Sequence, residues 1–225
     1  LLNIVTPSFE GCREQQDVSF LSQLLGQKHP AMIGLDVSSS SVKLVELGRA
    51  ANGDLVLERF ASEPFEKGWI TDGTIEKFDE VADAVKRVVT KSGTRTKHVV
   101  MAMPQSAVIT KKIMLPAGLR DEEMEVQVES EANQYIPFSL DEVSLDFCVI
   151  GPSSTSVGDV EVLIAASRKD RVQDRQGLAE AAGLKPVVLD IESHASRLAM
   201  SRVVAALPNE GKDALVALFE IGADT

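Results

Sequence analysis

The sequence predicts a mixed α/β fold, on the basis of two observations about the order of its patterns. Three strand patterns come first, joined by turn-forming residues, and a helix pattern follows them. Further along the chain, buried strand patterns are interspersed with helix patterns that end at glycine or proline. Short runs of β-branched and other apolar residues are typical of strands, whereas apolar residues every three or four positions are typical of helices.

The first three strands are predicted within residues 31–61 as an antiparallel meander. Residues 32–47 show an apolar run, a tight serine-rich turn and an alternating run, which is the pattern of two paired strands. The third strand covers residues 55–61, and residues 51–54, which include the pair Asn52-Gly53, form the turn before it. Residues 64–73 are predicted to form a loop.

The remaining elements follow from apolar spacing and from helix-ending residues. Ser92-Gly93, Pro137 and Gly183 stop predicted helices, and Ser167 is a good helix cap. The predicted helices cover residues 75–91, 121–136, 168–182 and 193–206, and the predicted strands cover residues 98–103, 108–115, 142–150, 160–166, 186–191 and 214–221.

Bulk properties narrow the class of function. The net charge of -11 argues against nucleic-acid binding and against broad electrostatic adhesion to anionic lipid. No window has enough consecutive apolar residues for a membrane span, and no secretion signal is recognisable. Cys12 and Cys148 belong to no CxxC pair, which favours a reducing compartment, although the two could in principle pair with each other. We therefore expect a cytoplasmic protein.

The turn between the first two strands is the strongest candidate for a ligand site. Asp36 ends the first strand, four hydroxyl residues follow, and Lys43 lies in the second strand; the hydroxyl residues are Ser38, Ser39, Ser40 and Ser41. Backbone N–H groups and hydroxyls can hold phosphate oxygens, an acid can orient a hydrated magnesium ion, and a lysine offsets charge. The alternative is a ligand-free hairpin, because Asp and Ser are ordinary turn formers.

The end of the chain repeats this pattern. Residues 217–222 resemble residues 33–38: in both, a buried strand ends in an acid, then an apolar residue and then a small one. Two such strand ends facing each other would hold a phosphate chain from both sides. This predicts Glu220, Gly222 and Thr225 as further ligand residues, with Asp36 and Glu220 on the metal.

A family resemblance rests on these residues and on several others. Residues 33–43 resemble the first phosphate loop of the actin, Hsp70 and sugar-kinase superfamily, and the serine-rich form of the loop is similar to that of the PilM family of type IV pilus assembly. Further similar segments lie at residues 99–104, 134–138, 163–168 and 181–186, so the resemblance covers roughly residues 30–225.

The resemblance implies an actin-like fold of the FtsA and PilM type. A subdomain 1A is interrupted by an inserted subdomain 1C, and the second half of the molecule follows. In this sequence 1A would cover residues 31–97 plus 183–208, 1C residues 98–182, and the second domain would start at residues 213–225 with most of it missing. Residues 1–30 would be a peripheral segment.

The resemblance also implies a function. Members bind ATP with Mg²⁺, turn it over weakly or not at all, and dock partners on the cytoplasmic face of the inner membrane. The main expected partner is the cytoplasmic N-terminal tail of PilN, held in a groove between 1A and 1C, together with other inner-membrane pilus assembly proteins. An acidic helix face at residues 121–131 would suit the basic flank of that tail. Glu220 stands where the superfamily usually has aspartate, which puts hydrolysis in doubt.

Three alternatives stay open at this point. The type II secretion protein GspL and the cell-division protein FtsA are sister scaffolds, although FtsA should carry glycine rather than Ser38. A sugar kinase of the same superfamily would need a catalytic aspartate and a sugar site, for which no candidate is found.

The apolar final strand, with Val216, Leu218 and Phe219, could pair with a second copy and give a homodimer.

Overall fold

The computed structural model describes residues 31–222 of the 225-residue chain. The predictions made for residues 1–30, for a pairing that involves Cys12 and for Thr225 lie outside the described residues. In the part of the chain that the structure describes, no helix is long and apolar enough to cross a bilayer.

Strands and helices follow the predicted order. The strands are β1 Met32–Val37, β2 Ser41–Arg49, β3 Leu55–Pro64, β4 Ile70–Thr71, β5 Thr74–Ile75, β6 His98–Met103, β7 Ile109–Pro116, β8 Val143–Pro152, β9 Asp159–Arg168 and β10 Lys185–Ile191. The α-helices are α1 Phe78–Ser92, α2 Asp121–Tyr135, α3 Lys169–Ala181 and α4 Glu192–Ala205. Short 3₁₀ turns lie at Gln105–Ala107, Leu140–Glu142 and Pro208–Gly211.

The larger sheet of the described region contains five strands in the order β10-β6-β1-β2-β3. β1, β2 and β3 form the antiparallel meander that the sequence predicts, whereas β10, β6 and β1 run parallel. One face of this sheet is buried under α1 and α3, which share its core. The core-facing side chains of β1 are Ile33, Leu35 and Val37, each no more than 3% exposed. The carboxyl ends of the three parallel strands therefore meet at one edge.

The smaller sheet is antiparallel, with strand order β7-β9-β8. Helix α2 covers it with an apolar stripe that the spacing predicts, Met124, Val128 and Ala132, whereas Tyr135, predicted on the same face, is 45% exposed. This sheet has its own core cluster, separate from that of the larger sheet. The molecule thus has two packed layers, and a groove lies between them.

The residues that pack in the smaller layer are not the same as the residues predicted for subdomain 1C. β6 pairs with β1 and β10, and residues of α3 belong to the core of the larger sheet. Residues 98–103 and 169–182 therefore pack with the larger layer, because their apolar side chains fill its core. As a subdomain assignment, residues 98–182 for 1C stay a prediction.

Three local predictions are wrong. Ser167 does not cap a helix. It lies at the end of a buried stretch of β9, and its hydroxyl donates to the carbonyl of Ala107 at 2.8 Å. Helix α3 therefore begins at Lys169. The first helix starts at Phe78 rather than residue 75, because β4 and β5 form a hairpin there. Its two turn residues, Asp72 and Gly73, have φ of 49° and 76°, as a two-residue type I′ turn requires.

The third wrong prediction is the last strand at residues 214–221. These residues are irregular in the structure, and Leu215 and Phe219 are largely exposed. A strand needs a neighbouring strand to satisfy its backbone groups, and none in the described region pairs with this segment. The strand edge that the homodimer prediction relied on is therefore not formed.

Candidate functional site

The serine turn, Ser38–Ser41, connects β1 and β2 and is closed by its own hydrogen bonds. The backbone N–H and the hydroxyl of Ser38 both donate to the carbonyl of Ser41 at 3.0 Å. The carbonyl of Ser40 accepts a bond from the N–H of Phe65 at 2.8 Å, which ties the turn to the end of β3. Within residues 31–222 the hydroxyls of Ser39 and Ser40 have no hydrogen-bond partner, which leaves them available to a ligand.

Asp36 and Lys43 face each other across this hairpin. They are register partners in the antiparallel pair of β1 and β2, and the Lys43 Nζ lies 2.9 Å from the Asp36 Oδ2. Their side chains are 52% and 45% exposed. An exposed ion pair of this kind contributes at most about 1 kcal/mol to stability. The ion pair can therefore be broken, and each group can bind a ligand instead, at a small cost in free energy.

Four carboxylates line a cleft of about 540 Å³ that runs from the carboxyl ends of β1 and β10 over the middle of β1, β2 and β6. We call it the acidic cleft; its acids are Asp36 at the end of β1, Asp190 at the end of β10, Glu192 at the start of α4, and Glu220. Lys43 lines the same cleft. Ligands of open α/β sheets bind at this edge, where parallel strands end. The hydroxyl of Ser196 on α4 lies 3.4 Å from a carboxylate oxygen of Glu220.

The electrostatics of the acidic cleft favour a cation. Burial raises the pKa of Glu192, Arg175 opposes this, and the charges of Asp36 and Glu220 raise it further. A carboxylate whose charged form is disfavoured by burial and by neighbouring acids, as Glu192 is, gains from a nearby positive charge. Such a site would bind a phosphate chain better when a divalent ion accompanies it.

The donor set fits magnesium triphosphate, with the phosphates as part of the metal site. Among the described residues no group of three His, Cys, Asp or Glu side chains is placed to hold a metal ion by itself. Mg²⁺ usually binds through one or two carboxylates, several waters and substrate phosphates, so a complete protein cage is not required. Asp36 and Glu220 would serve on the metal side, and the serine turn and Lys43 on the phosphate side.

The structure brings together most of the residues predicted from the sequence. Asp36, Lys43 and Glu220 line the acidic cleft, while Ser39 and Gly222 line an adjoining cleft of about 590 Å³. Ser38, Ser40 and Ser41 form the turn but line neither cleft. Thr225 lies outside the described residues. The two predicted halves of the site thus lie next to each other, even though the second is no strand.

Sequence reasoning missed two kinds of residue. Asp190 ends a buried strand just as Asp36 does, so the pattern of an apolar run and an acid could have found it. Glu192 follows two residues later. Arg175 lies in the middle of α3, yet it is 3% exposed and its guanidinium donates to the carbonyl of Val37 at 2.7 Å. Nothing in the sequence around Arg175 distinguishes it from a solvated helix residue.

A second candidate site is the inter-sheet groove, a pocket of about 200 Å³ between the two layers. Its walls come from the β4–β5 turn, the ends of β7, β8 and β9, the segment after α2, and the start of α3. Its apolar lining consists of Ala107, Ile109, Ile136, Phe138, Val143 and Ala166. Asp72, Arg168 and Arg171 supply charge at its edge.

Close packing shapes the groove. A Cβ on Gly73 would lie 2.8 Å from a ring carbon of Pro104, and its φ is positive, so glycine is required there. Arg168 lies over the ring of Phe138, with its guanidinium carbon 5.6 Å from the ring centroid, and pairs with Asp170 at 2.6 Å. These contacts fix the edge of the groove before any partner binds.

The acidic face of α2 does not line the groove. Its exposed acids point to solvent, and only residues after the helix, Ile136 and Phe138, reach the groove. The groove edge itself carries two arginines and one aspartate. A basic flank of a docked peptide would therefore have to leave the groove before it met the acids of α2.

The family model described as type IV pilus assembly protein PilM matches residues 34–225. The chain belongs to the PilM family. A solved structure titled PilM-PilN type IV pilus biogenesis complex is 32% identical and superposes with a TM-score of 0.70. The match covers 79% of this chain but 52% of that one, so the chain spans about half the length of this relative.

Two other solved structures are more distant. The cytoplasmic domain of EpsL, an inner-membrane component of the type II secretion system of Vibrio cholerae, is 13% identical over 71% of this chain and 56% of its own, with a TM-score of 0.45. The ethanolamine utilization protein EutJ from Carboxydothermus hydrogenoformans is 11% identical over 74% of this chain and 38% of its own, with a TM-score of 0.35. The match to the family model and to the PilM-PilN structure confirms the predicted membership of the PilM family and the predicted mixed α/β fold of the PilM type.

Proposed function

We propose that this chain is a docking scaffold of type IV pilus assembly that holds the N-terminal cytoplasmic tail of a PilN-type inner-membrane protein. The observation that supports it most directly is the inter-sheet groove, an apolar pocket bounded by both packed layers. The structural relative with the highest TM-score given above is a complex of PilM with PilN. The scaffold would work on the cytoplasmic face of the inner membrane.

The groove suits a short, extended and largely apolar peptide. Its apolar lining can receive leucine side chains, and burying one leucine there would contribute about 1.5–3 kcal/mol. Arg171 at the edge can donate to backbone carbonyls of the peptide. Recognition of an extended segment through pockets for its side chains is a recurrent mode of peptide binding.

We assign the acidic cleft and serine turn to ATP with Mg²⁺, as a ligand of the scaffold with weak or no turnover. Bound Mg²⁺ would offset the negative charge of the phosphates and the carboxylates. Lys43 would leave Asp36 for a phosphate oxygen, and the free hydroxyls of Ser39 and Ser40 would donate to others. Binding of other inner-membrane pilus proteins and formation of a homodimer stay predictions, since neither has a distinct surface in the described residues.

A peptide titration tests the docking proposal. A fluorescently labelled peptide with the sequence of the PilN tail should bind the chain, and Ile109→Glu should weaken binding at least roughly tenfold, because it buries a charge in the apolar lining. Val126→Glu is the matched control: it makes the same chemical change on α2 at a residue that is 65% exposed and outside the groove. Equal loss in both variants, or no binding by the wild type, would contradict the proposal.

A further inference from the structure

Arg175 is a buried cation placed directly behind the serine turn. It lies on α3, is 3% exposed, and its Nη1 donates to the carbonyl of Val37 at 2.7 Å. Val37 is the last residue of β1 and precedes Ser38, so this bond fixes the peptide unit from which the turn begins. The two residues are 138 positions apart in sequence, and the bond joins α3 to the hairpin.

The charge of Arg175 has no close counter-charge in the described part of the chain. No carboxylate within residues 31–222 lies within 4.0 Å of its guanidinium. Burial lowers the pKa of Arg175, while Glu192, Asp36 and Asp174 act on it from a longer distance in the opposite direction. A buried cation that forms no close ion pair is costly, so a further negative charge near Arg175 would be favourable.

A phosphate chain in the serine turn would provide that compensation. Asp36, two residues before the turn, and Glu192 both line the acidic cleft, and both interact with Arg175 electrostatically. A positive charge behind the turn acts through the protein interior, where the effective dielectric constant is lower than in water and Coulomb interactions are stronger. The fixed carbonyl of Val37 also keeps the backbone of the turn in one conformation, with no reorganisation needed on binding.

We propose that Arg175 is the positioning residue of this site, which orients the serine turn and contributes the positive charge that selects a di- or triphosphate chain. The proposal rests on the phosphate-binding role given above to the serine turn. Arg175 acts through Val37 and does not contact the ligand. Lysine cannot replace it fully, because an ammonium group lacks the planar fork that holds a carbonyl in a fixed direction.

Inorganic tripolyphosphate with Mg²⁺ is the most direct probe, since it carries no adenine and reports on the phosphate part alone. Calorimetry on the complete chain should show wild-type binding, at least roughly tenfold weaker binding by Arg175→Met, and an intermediate loss for Arg175→Lys. The control is Arg87→Met on α1, whose side chain is 52% exposed and lines neither the acidic cleft nor the inter-sheet groove; this variant should bind tripolyphosphate like the wild type. In competition, the loss for Arg175→Met should increase from AMP to ADP to ATP.

The outcomes separate the two proposals. If the wild type binds neither tripolyphosphate nor Mg-ATP, the phosphate site and the role of Arg175 both fail. If the wild type binds and Arg175→Met binds equally well, the role of Arg175 alone is overturned. A purely structural role would weaken AMP, ADP and ATP by the same factor, which also overturns it. If Arg175→Met does not fold, Arg175→Lys decides: affinity equal to that of the wild type overturns the proposal, and a several-fold loss supports it.

Discussion

The inter-sheet groove and the acidic cleft are built by different means. Core residues of the smaller sheet line the groove, among them Ala166 and Val143, which are 1% and 5% exposed. The acidic cleft is lined by exposed, ion-paired side chains such as Asp36 and Lys43, and its far side is the irregular segment that carries Glu220. Core packing therefore holds the wall of the groove, whereas exposed charges, including the Asp36–Lys43 ion pair, hold part of the wall of the cleft.

This difference has a functional consequence. A site held by core packing keeps its shape when conditions change, which suits constant docking of one partner. A site of exposed charges responds to ionic strength and to its ligand, which suits a regulatory role. Helix α3 borders both: Arg171 lines the groove, and Arg175 holds the turn of the cleft.

The largest expected effect comes from the core that the two sites share. Leu178 on α3 is fully buried, so Leu178→Ala should lower the free energy of unfolding by about 2–5 kcal/mol through lost burial and a cavity. Urea unfolding followed by circular dichroism measures it. The control Leu57→Ala, at a residue 59% exposed on β3, should change stability by less than about 0.5 kcal/mol. Equal effects would contradict the placement of α3 in the core.

The next effect concerns the groove alone. Phe138 contributes an aromatic wall beneath Arg168, so Phe138→Ala should weaken binding of a PilN-tail peptide by roughly tenfold without changing Mg-ATP affinity. Phe60→Ala is the control, since Phe60 lines the acidic cleft and not the groove. Fluorescence anisotropy gives both affinities. A peptide that loses affinity in Phe60→Ala instead would place docking at the other site.

A smaller effect is expected in the cleft. Lys43→Ala and Asp36→Ala should each weaken Mg-ATP binding several-fold, because a phosphate loses its cation or the magnesium ion its acid. Stability should hardly change, since the pair is exposed. Lys86→Ala removes another exposed lysine that is paired with an aspartate, Asp83, at 2.8 Å, and should leave nucleotide binding unchanged. Unchanged calorimetric affinity in both cleft variants would remove these residues from the site.

The smallest effect is a dependence of stability on pH. Burial raises the pKa of Glu192 above its ordinary value of about 4.3, so the folded state binds this proton more tightly than the unfolded state. Stability from this group is present below the unfolded pKa and is lost as pH rises through the folded pKa. Glu192→Gln should therefore gain stability relative to the wild type as pH rises from 4 to 7. A constant difference across that range in urea unfolding would contradict the raised pKa.

Much of the fold is predictable from local signals. The Asn52-Gly53 turn, the stop at Gly93 and the apolar stripe of α2 each act over a few residues, and the structure has the meander, the helix end and the packed face that they predict. The strand order β10-β6-β1, by contrast, is not predictable from local signals. Parallel pairing joins segments far apart in sequence, so no local pattern shows which neighbours β6 will take.

In the candidate site, too, some residues are predictable from local signals and others are not. Asp36, the serines and Lys43 lie within eight positions, and the hairpin brings them together by local pairing. Glu192 reaches the cleft because α4 packs beside the larger sheet, and Arg175 reaches the carbonyl of Val37 because α3 packs on its other side. The strand expected at residues 214–221 failed for the same reason, since its apolar residues need a neighbouring sheet that the described residues do not supply.

Chemical-shift mapping shows whether a PilN-type tail docks in the inter-sheet groove. An unlabelled PilN-tail peptide is added to the isotopically labelled chain, and amide and methyl shifts are followed. If the tail docks in the groove, we expect saturable shifts with little change at the serine turn. The shifts should be concentrated at Ile109, Ile136, Phe138, Val143 and Arg171. Shifts confined to α4 and the acidic cleft, or none at peptide saturation of the wild-type chain, would contradict it.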